Sequence, residues 1–250
     1  MSSARPPGAA RRRRVEELGW QATEAGELVL RRRFDVTLNV DVFEVKLGDE
    51  YLMSSLFTVA EEELARLGLS VVSDDAGPLD VVVGGLGLGY TARTVLDDPR
   101  VGSLAVVEAS GAVVDWHRRR LLPVDDELLD DERTSLVVAD FFAGVADGGW
   151  DGVVSPSHAI LVDIDHTPAH WLHPSHAGFY SEDGLRRLLP LLHPGGVFGL
   201  WSDDPPDPDF LARLSAVFAT ADARVVEFPN PLIRGTSSNT VYLASAPTDV

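Results

Sequence analysis

Residues 81–90 read VVVGGLGLGY, and this stretch decides how the rest of the chain is interpreted. Three valines run into a turn with four glycines, and the residues after the turn have the pattern of a helix. The stretch therefore predicts a buried parallel strand, a tight turn and a helix. Because only glycine takes positive φ and admits a ligand close to the backbone without steric cost, Gly85, Gly87 and Gly89 are candidate cofactor-binding residues.

Acidic residues at the ends of the next two predicted strands extend this hypothesis. Glu108 follows Gly89 by about 20 residues, the spacing at which nucleotide-binding α/β units place the carboxylate that binds ribose hydroxyls. Asp140 ends the following strand, and Phe141 comes directly after it, so this pair could bind an adenine amino group beside an aromatic ring. We predict that Glu108, Asp140 and Phe141 bind a cofactor; the alternative for Asp140 is a helix N-cap.

Composition limits the classes of function. The chain has 250 residues, 45% of them hydrophobic, which is enough for one sizeable domain and a small addition. It has no cysteine, which excludes disulfides and thiolate metal sites. No run is apolar enough to span a membrane and no signal core is evident, so we expect no membrane partner and a cytoplasmic location. The net charge of −18, with Lys46 the only lysine, argues against nucleic acid and suits a small cationic substrate.

The chain divides into three parts by composition. Residues 1–26 hold a basic run and two prolines, and we expect a disordered or weakly ordered tail. Residues 27–78 show short alternating segments typical of antiparallel hairpins, followed by a helix; strands are expected over 28–32, 36–40, 42–47 and 51–54. The helix is predicted to begin with a capping box of Thr58 and Glu61 and to stop at Gly68. Residues 79–250 are the expected cofactor-binding domain.

From residue 79 onward, strands alternate with helices, which predicts a mostly parallel sheet with right-handed crossovers and hence a Rossmann-like α/β fold. Strands are expected over residues 80–83, 103–107, 135–139, 159–162, 196–201, 224–228 and 240–244. Helices are expected over residues 90–96, 112–121, 183–192 and 209–218, with a short turn after Phe141. The last two strands should form an antiparallel edge hairpin. The stretch SDDPPDPD at residues 202–209 is either an acidic lid or a rigid solvent loop.

The fourth of these strands ends in Asp163, with Asp165 and His166 close behind. Ligands of open α/β sheets bind at the carboxyl ends of the strands, so these three residues are the catalytic candidates. Five of the seven histidines lie between His158 and His176 and could, with the two aspartates, ligate a divalent metal. Because two prolines interrupt any regular helix there, we favour a loop that covers the substrate and expect no metal.

Several segments together resemble a known family. In this order and spacing, over residues 27–244, they are similar to the spermidine synthase (polyamine aminopropyltransferase) family within the S-adenosylmethionine-dependent methyltransferase superfold. The segments are DVVVGGLGLGYTARTVLDDPRV, LAVVEAS, VVADFF, ILVDIDHTP and HAGFYSEDGLRRLLPLLHPGGVFGLW. The resemblance implies a class I methyltransferase sheet with a small N-terminal β extension.

The same resemblance implies a chemistry. It implies decarboxylated S-adenosylmethionine as the cofactor and transfer of its aminopropyl group to a polyamine nitrogen. The family aspartate that holds and deprotonates the attacking amine falls on Asp163. Such a carboxylate is needed because a protonated amine is no nucleophile. His166 is a further candidate for a general base, since histidine exchanges protons near neutral pH.

The sequence also departs from the family. The glycine turn lacks the acidic residue that the family uses to bind the aminopropyl nitrogen, and His166 stands where the family has a second aspartate. The stretch MSSLFTVAEEEL replaces a tyrosine, histidine and acid cluster. A turn without an acid could instead accept the carboxylate of intact S-adenosylmethionine on its backbone N–H groups.

These observations leave three hypotheses. The first is a spermidine-synthase-like transferase that moves an aminopropyl or aminocarboxypropyl group to an amine. The second is a methyltransferase that acts on a small molecule, and the third is a cofactor-binding protein without catalysis. The expected partner is a small-molecule amine, and a homodimer is one possible assembly.

Overall fold

We describe a computed structural model of the chain over residues 14–23 and 26–248. Residues 1–13, the first half of the expected tail, lie outside this description. Contacts between residues divide the chain into two units, residues 1–56 and 57–250. The boundary therefore precedes the predicted helix, which we had grouped with the N-terminal β region.

The first unit is a four-stranded antiparallel sheet in the order β1-β2-β3-β4. Its strands are Val15–Thr23, Gly26–Asp35, Val40–Leu47 and Glu50–Ser54. Strand β1 lies within the expected tail, so that expectation is wrong for residues 15–23, which pair along β2. The strand predicted over residues 36–40 is also wrong, because the Asp35 carboxylate accepts hydrogen bonds from the amides of Thr37 and Leu38 and closes a turn there.

The second unit begins with helix α1, Val59–Val71. The predicted capping box does not form, because the Thr58 hydroxyl donates to the Glu62 carboxylate at 2.9 Å and caps no amide. Gly68 does not stop the helix either. A Cβ atom at Gly68 would lie 2.6 Å from a methyl group of Leu161, so this glycine lets the helix pack closely on the sheet.

The sheet of the second unit has seven strands in the order β10-β11-β9-β8-β5-β6-β7. Its strands are Leu79–Gly84 (β5), Val101–Glu108 (β6), Thr134–Val138 (β7), Ser157–Val162 (β8), Leu192–Ser202 (β9), Thr220–Asn230 (β10) and Gly235–Ser245 (β11). Strands β5 to β9 run parallel, and β11 is antiparallel to both of its neighbours. The predicted fold class and the antiparallel hairpin are thus confirmed. Of the two hairpin strands, only β10 lies at an edge of the sheet.

The remaining helices of the second unit are short. They are Tyr90–Val95 (α2), Gly111–Arg118 (α3), Asp125–Leu129 (α4), Phe141–Asp147 (α5), Glu182–Arg186 (α6) and Pro208–Val217 (α7). The helix expected over residues 183–192 ends early, because Pro190 falls in a 3-10 turn that leads into β9. Helix α4 was not predicted.

Strand β5 is the point where the strand order reverses, since β6 follows it on one side and β8 lies on the other. Five of its six residues, Leu79 and Val81 to Gly84, are buried. Ligands of such sheets bind in the crevice at the carboxyl ends of the strands on either side of this point. The glycine turn and Asp163 follow β5 and β8, so the topology places both at that crevice. In the part of the chain described, no helix has the length and apolar character needed to cross a membrane.

Candidate active site

The glycine turn has the backbone geometry that its sequence predicts. Gly85, Gly87 and Gly89 have φ angles of +91°, +50° and +88°, which L side chains rarely adopt. A Cβ atom at Gly85 would overlap the carbonyl oxygen of Asp163, so the turn lies directly against the chain that leaves β8. The turn and the predicted catalytic aspartate are therefore neighbours in space, although about 80 residues separate them in sequence.

Glu108 joins the glycine turn to the next helix. One carboxylate oxygen accepts a hydrogen bond from the Leu86 amide at 2.9 Å, and the other accepts from the Ser110 amide at 2.7 Å. The side chain ends β6 and is half-buried. Since a carboxylate oxygen has two lone pairs, each oxygen keeps one for a hydroxyl of a bound ligand.

Asp140 and Phe141 have different surroundings. Asp140 is exposed and caps α5, accepting from the Ala143 amide at 3.1 Å, so the N-cap alternative is what the structure shows. It also lines a cavity of about 380 Å³ beside Phe142. Phe141 is 2% exposed and stacks on Trp150 with ring centroids 5.0 Å apart. The expected contact of Phe141 with a cofactor therefore needs correction: its ring is in the core, and the Phe142 ring faces the cavity.

Asp163 lies among groups from three elements. The hydroxyl of Thr91, on α2, donates to one Asp163 carboxylate oxygen at 2.9 Å. The same hydroxyl is 3.3 Å from the Glu61 carbonyl oxygen on α1. Burial raises the pKa of Asp163 to about 6, against the Thr91 hydrogen bond, which lowers it. A carboxylate with a pKa near the working pH can both hold an ammonium group and accept its proton.

Glu61 is a site residue that the sequence analysis assigned to a capping box instead. Burial raises the pKa of Glu61 to about 8, and the negative charge of Asp163 adds to this rise. The signal in the sequence is helical spacing: Glu61 is three and four positions before the buried Leu64 and Ala65, which places it beside the buried face of α1. At neutral pH the Asp163–Glu61 pair therefore holds a proton that a bound cation would displace.

Asp165 has a different environment from the one we expected. It is 1% exposed, and its carboxylate accepts from the Leu172 amide at 2.7 Å, from His176 Nδ1 at 2.8 Å and from the Tyr180 hydroxyl at 2.9 Å. Burial raises the pKa of Tyr180, and the charge of Asp165 adds to this. With three partners, Asp165 anchors the loop of residues 166–180; we expected a catalytic contact for it, and its carboxylate is instead buried in this hydrogen-bond network.

The histidines between residues 158 and 176 do not form one cluster. His166 follows Asp165, its carbonyl oxygen accepts from the Asp203 amide at 2.8 Å, and its ring is 5.1 Å from that of His170. His176 stacks on Phe142 at 4.0 Å and bonds to Asp165. His158 lies at the opposite end of β8 from Asp163. The five-histidine metal site is therefore not formed by the residues that the structure describes.

The grouping of metal-ligating side chains found in the described residues is Asp80, His158 and His193, whose donor atoms lie within 4.8 Å of one another. It sits at the amino ends of β5, β8 and β9. His158 Nδ1 accepts a hydrogen bond from the Asp80 amide at 3.0 Å, so that nitrogen has no free lone pair for a metal.

The acidic stretch after β9 is a fixed loop. Asn239 donates to the Asp203 carboxylate at 2.7 Å, Thr240 donates to the Asp204 carbonyl at 2.7 Å, and the Asp207 amide donates to the Tyr242 hydroxyl at 2.6 Å. All three β11 side chains bind the same loop, which supports the rigid-loop interpretation. With residues 167–169, this loop lines a second cavity of about 320 Å³.

No description of a known protein family matches this chain. A polyamine aminopropyltransferase from Aeropyrum pernix is 33% identical over 125 residues, which are 48% of this chain and 36% of that protein. The match therefore spans little more than a third of that relative's length.

Two solved structures share the fold. Spermidine synthase from Thermotoga maritima has a TM-score of 0.69 and 18% identity, over 93% of this chain and 74% of that one. Human methyltransferase-like protein 13, in complex with SAH, has a TM-score of 0.51 and 21% identity, over 76% of this chain and 79% of that one. The predicted resemblance and the Rossmann-like class I methyltransferase fold are confirmed.

Proposed function

We propose that this chain, which has the fold of the spermidine synthases, is a transferase that moves an aminopropyl-type group from an S-adenosylmethionine-type donor to a small-molecule amine. The observation that carries the proposal is the Asp163–Glu61 pair at the crevice beside the glycine turn. Two carboxyl groups with raised pKa values in one place suit a cationic acceptor that must lose a proton before it reacts. The similarity to a polyamine aminopropyltransferase supports the same substrate class.

The donor site in this proposal consists of the glycine turn, Glu108 and Asp140. The turn presents backbone at positive φ, and Glu108 keeps lone pairs for ribose hydroxyls. Asp140 is exposed beside the Phe142 ring. These groups fit an adenosyl donor. When bound, the donor supplies an electrophilic carbon on a sulfonium sulfur and leaves as a neutral thioether.

The acceptor reacts at Asp163. An ammonium group binds between Asp163 and Glu61, whose shared proton is released to solvent as the cation arrives. Asp163 then takes one proton from the ammonium nitrogen, and the freed lone pair forms the new C–N bond while the C–S bond breaks. The proton on Asp163 leaves to solvent, directly or through His166. Asp165 keeps the loop that carries His166 in position through its three hydrogen bonds.

A second candidate is methyl transfer from intact S-adenosylmethionine to a small molecule. The observation that favours it is the glycine turn, which has no acidic side chain to bind the amine of a decarboxylated donor. A non-catalytic cofactor-binding protein is the third candidate. For the first two candidates we also propose a cytoplasmic location. The homodimer stays a prediction.

The proposal is tested with Asp163→Asn in the purified full-length chain. Turnover is measured with S-adenosylmethionine and with its decarboxylated form, using mono- and diamines, and products are identified by mass spectrometry. We expect kcat to fall by about 10²–10⁴-fold while the donor Kd stays within about twofold, since general-base catalysis contributes that much.

The matched control is Asp147→Asn, an exposed acid at the end of α5, which should leave kcat unchanged. Full turnover by Asp163→Asn would show that the base is assigned wrongly. A methylated product would select the second candidate. Donor binding without turnover of any amine would select the third, and a wild-type protein that binds neither donor would refute the donor site.

A further inference from the structure

Behind the glycine turn lies a buried pair that the proposed reaction does not use directly. His117, on α3, is 0% exposed, and Asp125, at the start of α4, is 1% exposed. His117 Nδ1 is 2.5 Å from an Asp125 carboxylate oxygen, and His117 Nε2 is 2.9 Å from the Gly87 carbonyl oxygen. The other Asp125 oxygen accepts from the Leu122 amide at 2.7 Å. The pair therefore links two helices to the middle of the turn.

The hydrogen-bond roles in this pair are fixed by the groups it contacts. A carbonyl oxygen only accepts, so His117 Nε2 carries a proton and donates it to Gly87. Asp125 accepts from an amide with one oxygen and contacts His117 Nδ1 with the other. Either Nδ1 also carries a proton, as in an imidazolium facing a carboxylate, or the pair shares one proton between Nδ1 and Asp125. In both cases the N–H that reaches Gly87 is retained.

The bond to Gly87 sets the direction of the peptide that follows it. In a trans peptide the C=O and N–H groups point in opposite directions. Because the Gly87 carbonyl points toward His117 in the protein interior, the Leu88 N–H points away from it. Among the residues described, no hydrogen-bond acceptor is found for this N–H. An unpaired amide in a glycine turn that opens a helix is a donor available to a ligand.

The pair also restricts the turn sterically. A Cβ atom at Gly89 would lie 3.0 Å from the His117 ring and 2.7 Å from Val124, so the ring packs against the turn itself. Gly87 and Gly89 both have positive φ, which glycine adopts without strain, so contacts from outside the turn decide which conformation the turn keeps. The His117 ring provides a hydrogen bond and a packing surface for the same five-residue turn.

We propose that the His117–Asp125 pair is a positioning device that fixes the Gly87–Leu88 peptide so that the Leu88 N–H faces the donor. This rests on the proposed function, in which the glycine turn holds the donor. The pair touches neither donor nor acceptor and acts through the turn. Since an N–H favours an anionic partner, the effect is larger for S-adenosylmethionine, which has a carboxylate, than for its decarboxylated form.

The test replaces His117 with two different amide side chains, each of which reproduces one of the two ring nitrogens. Asparagine at position 117 places an amide where Nδ1 was, next to residue 125, but does not reach Gly87. Glutamine places an N–H where Nε2 was and reaches Gly87. Both are made in the Asp125→Asn background, which avoids a stranded buried carboxylate because asparagine can donate to Nδ1 of a neutral His117. Arg118→Ala, an exposed change on the same helix, is the control.

We expect Asp125→Asn alone, and His117→Gln with it, to bind S-adenosylmethionine within about threefold of the wild type by calorimetry. We expect the double variant His117→Asn with Asp125→Asn to bind S-adenosylmethionine about tenfold more weakly than the wild type. The loss of affinity should be smaller for the decarboxylated donor. The KM for the amine at saturating donor should not change. Both amides are polar and buried, so a loss of core packing would affect both variants. Recovery of donor affinity with glutamine alone would therefore show that the hydrogen bond to Gly87 positions the turn.

Equal donor affinity in the Asn and Gln variants would refute the inference. A wild-type protein that binds neither donor would instead refute the proposed function. If the Asn variant fails to fold, NMR of the wild-type protein decides the question. The Leu88 amide should show the largest shift of the turn residues when S-adenosylmethionine is added, and a Leu88 amide that does not respond while the donor binds would overturn the assignment.

Discussion

Burial raises the pKa of both Glu61 and Asp163, and the negative charge of Asp163 raises that of Glu61 further. In the proposed reaction this favours a bound ammonium group, whose positive charge lets both carboxyl groups ionise at neutral pH. The raised pKa of Glu61 also makes the stability of the fold depend on pH, and this dependence can be measured.

Glu61→Gln should make the protein more stable at pH 8. Because the pKa of Glu61 is raised from 4.5 to about 8, the folded state keeps a proton that the unfolded chain has released, and stability is lost as the pH rises between these values. Removing the group removes this loss, so we expect the free energy of unfolding at pH 8 to rise by about 2 kcal/mol, with little change at pH 4.

Urea unfolding at both pH values measures this. Glu63→Gln is the matched control on the same helix, because Glu63 is partly exposed and pairs with Arg66 at 2.9 Å, and it should change stability by less than about 1 kcal/mol. An equal pH dependence in wild type and Glu61→Gln would show that Glu61 does not titrate as described.

At the scale of the elements, the glycine turn connects the donor and acceptor sites of the proposed reaction. Gly85 lies against the Asp163 backbone, Glu108 binds the Leu86 amide, and His117 binds the Gly87 carbonyl. Successive residues of one turn are therefore each held by a different strand end or helix. A displacement at any of them would move groups that belong to both halves of the proposed reaction.

Gly85→Ala and Gly148→Ala make a matched pair, since both glycines have φ near +90°. A Cβ atom at Gly148 meets nothing within 4 Å, whereas one at Gly85 overlaps the Asp163 carbonyl. We expect Gly148→Ala to cost about 1 kcal/mol of unfolding free energy from backbone strain alone, with normal turnover. Gly85→Ala should cost about 3 kcal/mol or more and abolish turnover.

Thermal unfolding and steady-state kinetics of both variants measure this difference. Similar stability and full activity of the two proteins would mean that the turn relaxes away from Asp163 at little cost.

The sequence predicted the buried strands well because a parallel strand covered on both faces is a continuous apolar run, as in Val81 to Val83. The prediction failed where the same local pattern is compatible with two different structures. Residues 36–40 alternate like a strand, yet the Asp35 side chain turns the chain there. Residues 15–23 are mostly exposed and read as a polar tail, although they pair along β2.

The site was predicted in part for a similar reason. Residues at the carboxyl ends of strands lie near the crevice, and this rule selected Gly85, Glu108 and Asp163. It does not report which side chain turns inward, so Asp165 and Phe141 were assigned contacts that their burial does not allow. Glu61 comes from a helix about 100 residues before Asp163, and such proximity depends on packing that no local pattern encodes.

The whole molecule carries a net charge of −18, which should attract the cationic acceptor of the proposed reaction. We expect the KM of a diamine to rise about three- to tenfold as ionic strength increases from about 20 mM to 500 mM, since salt screens the attraction. A monoamine should show a weaker dependence, and kcat should change less than KM.

Steady-state kinetics at a saturating donor concentration measure this dependence of KM on salt. A control at the same osmolarity, with an uncharged solute in place of the salt, separates charge screening from osmotic effects. A diamine KM that does not depend on salt would show that the charge of the surface has no part in capturing the acceptor.

Strand β11 follows every other strand in sequence, yet it fills the gap between β9 and β10. During translation, β9 therefore has an unpaired edge and β10 has no partner in the sheet until the ribosome has released residues 235–245. A ribosome that stalls before this point leaves an open β edge exposed, which is the surface that chaperones and quality-control proteases would meet.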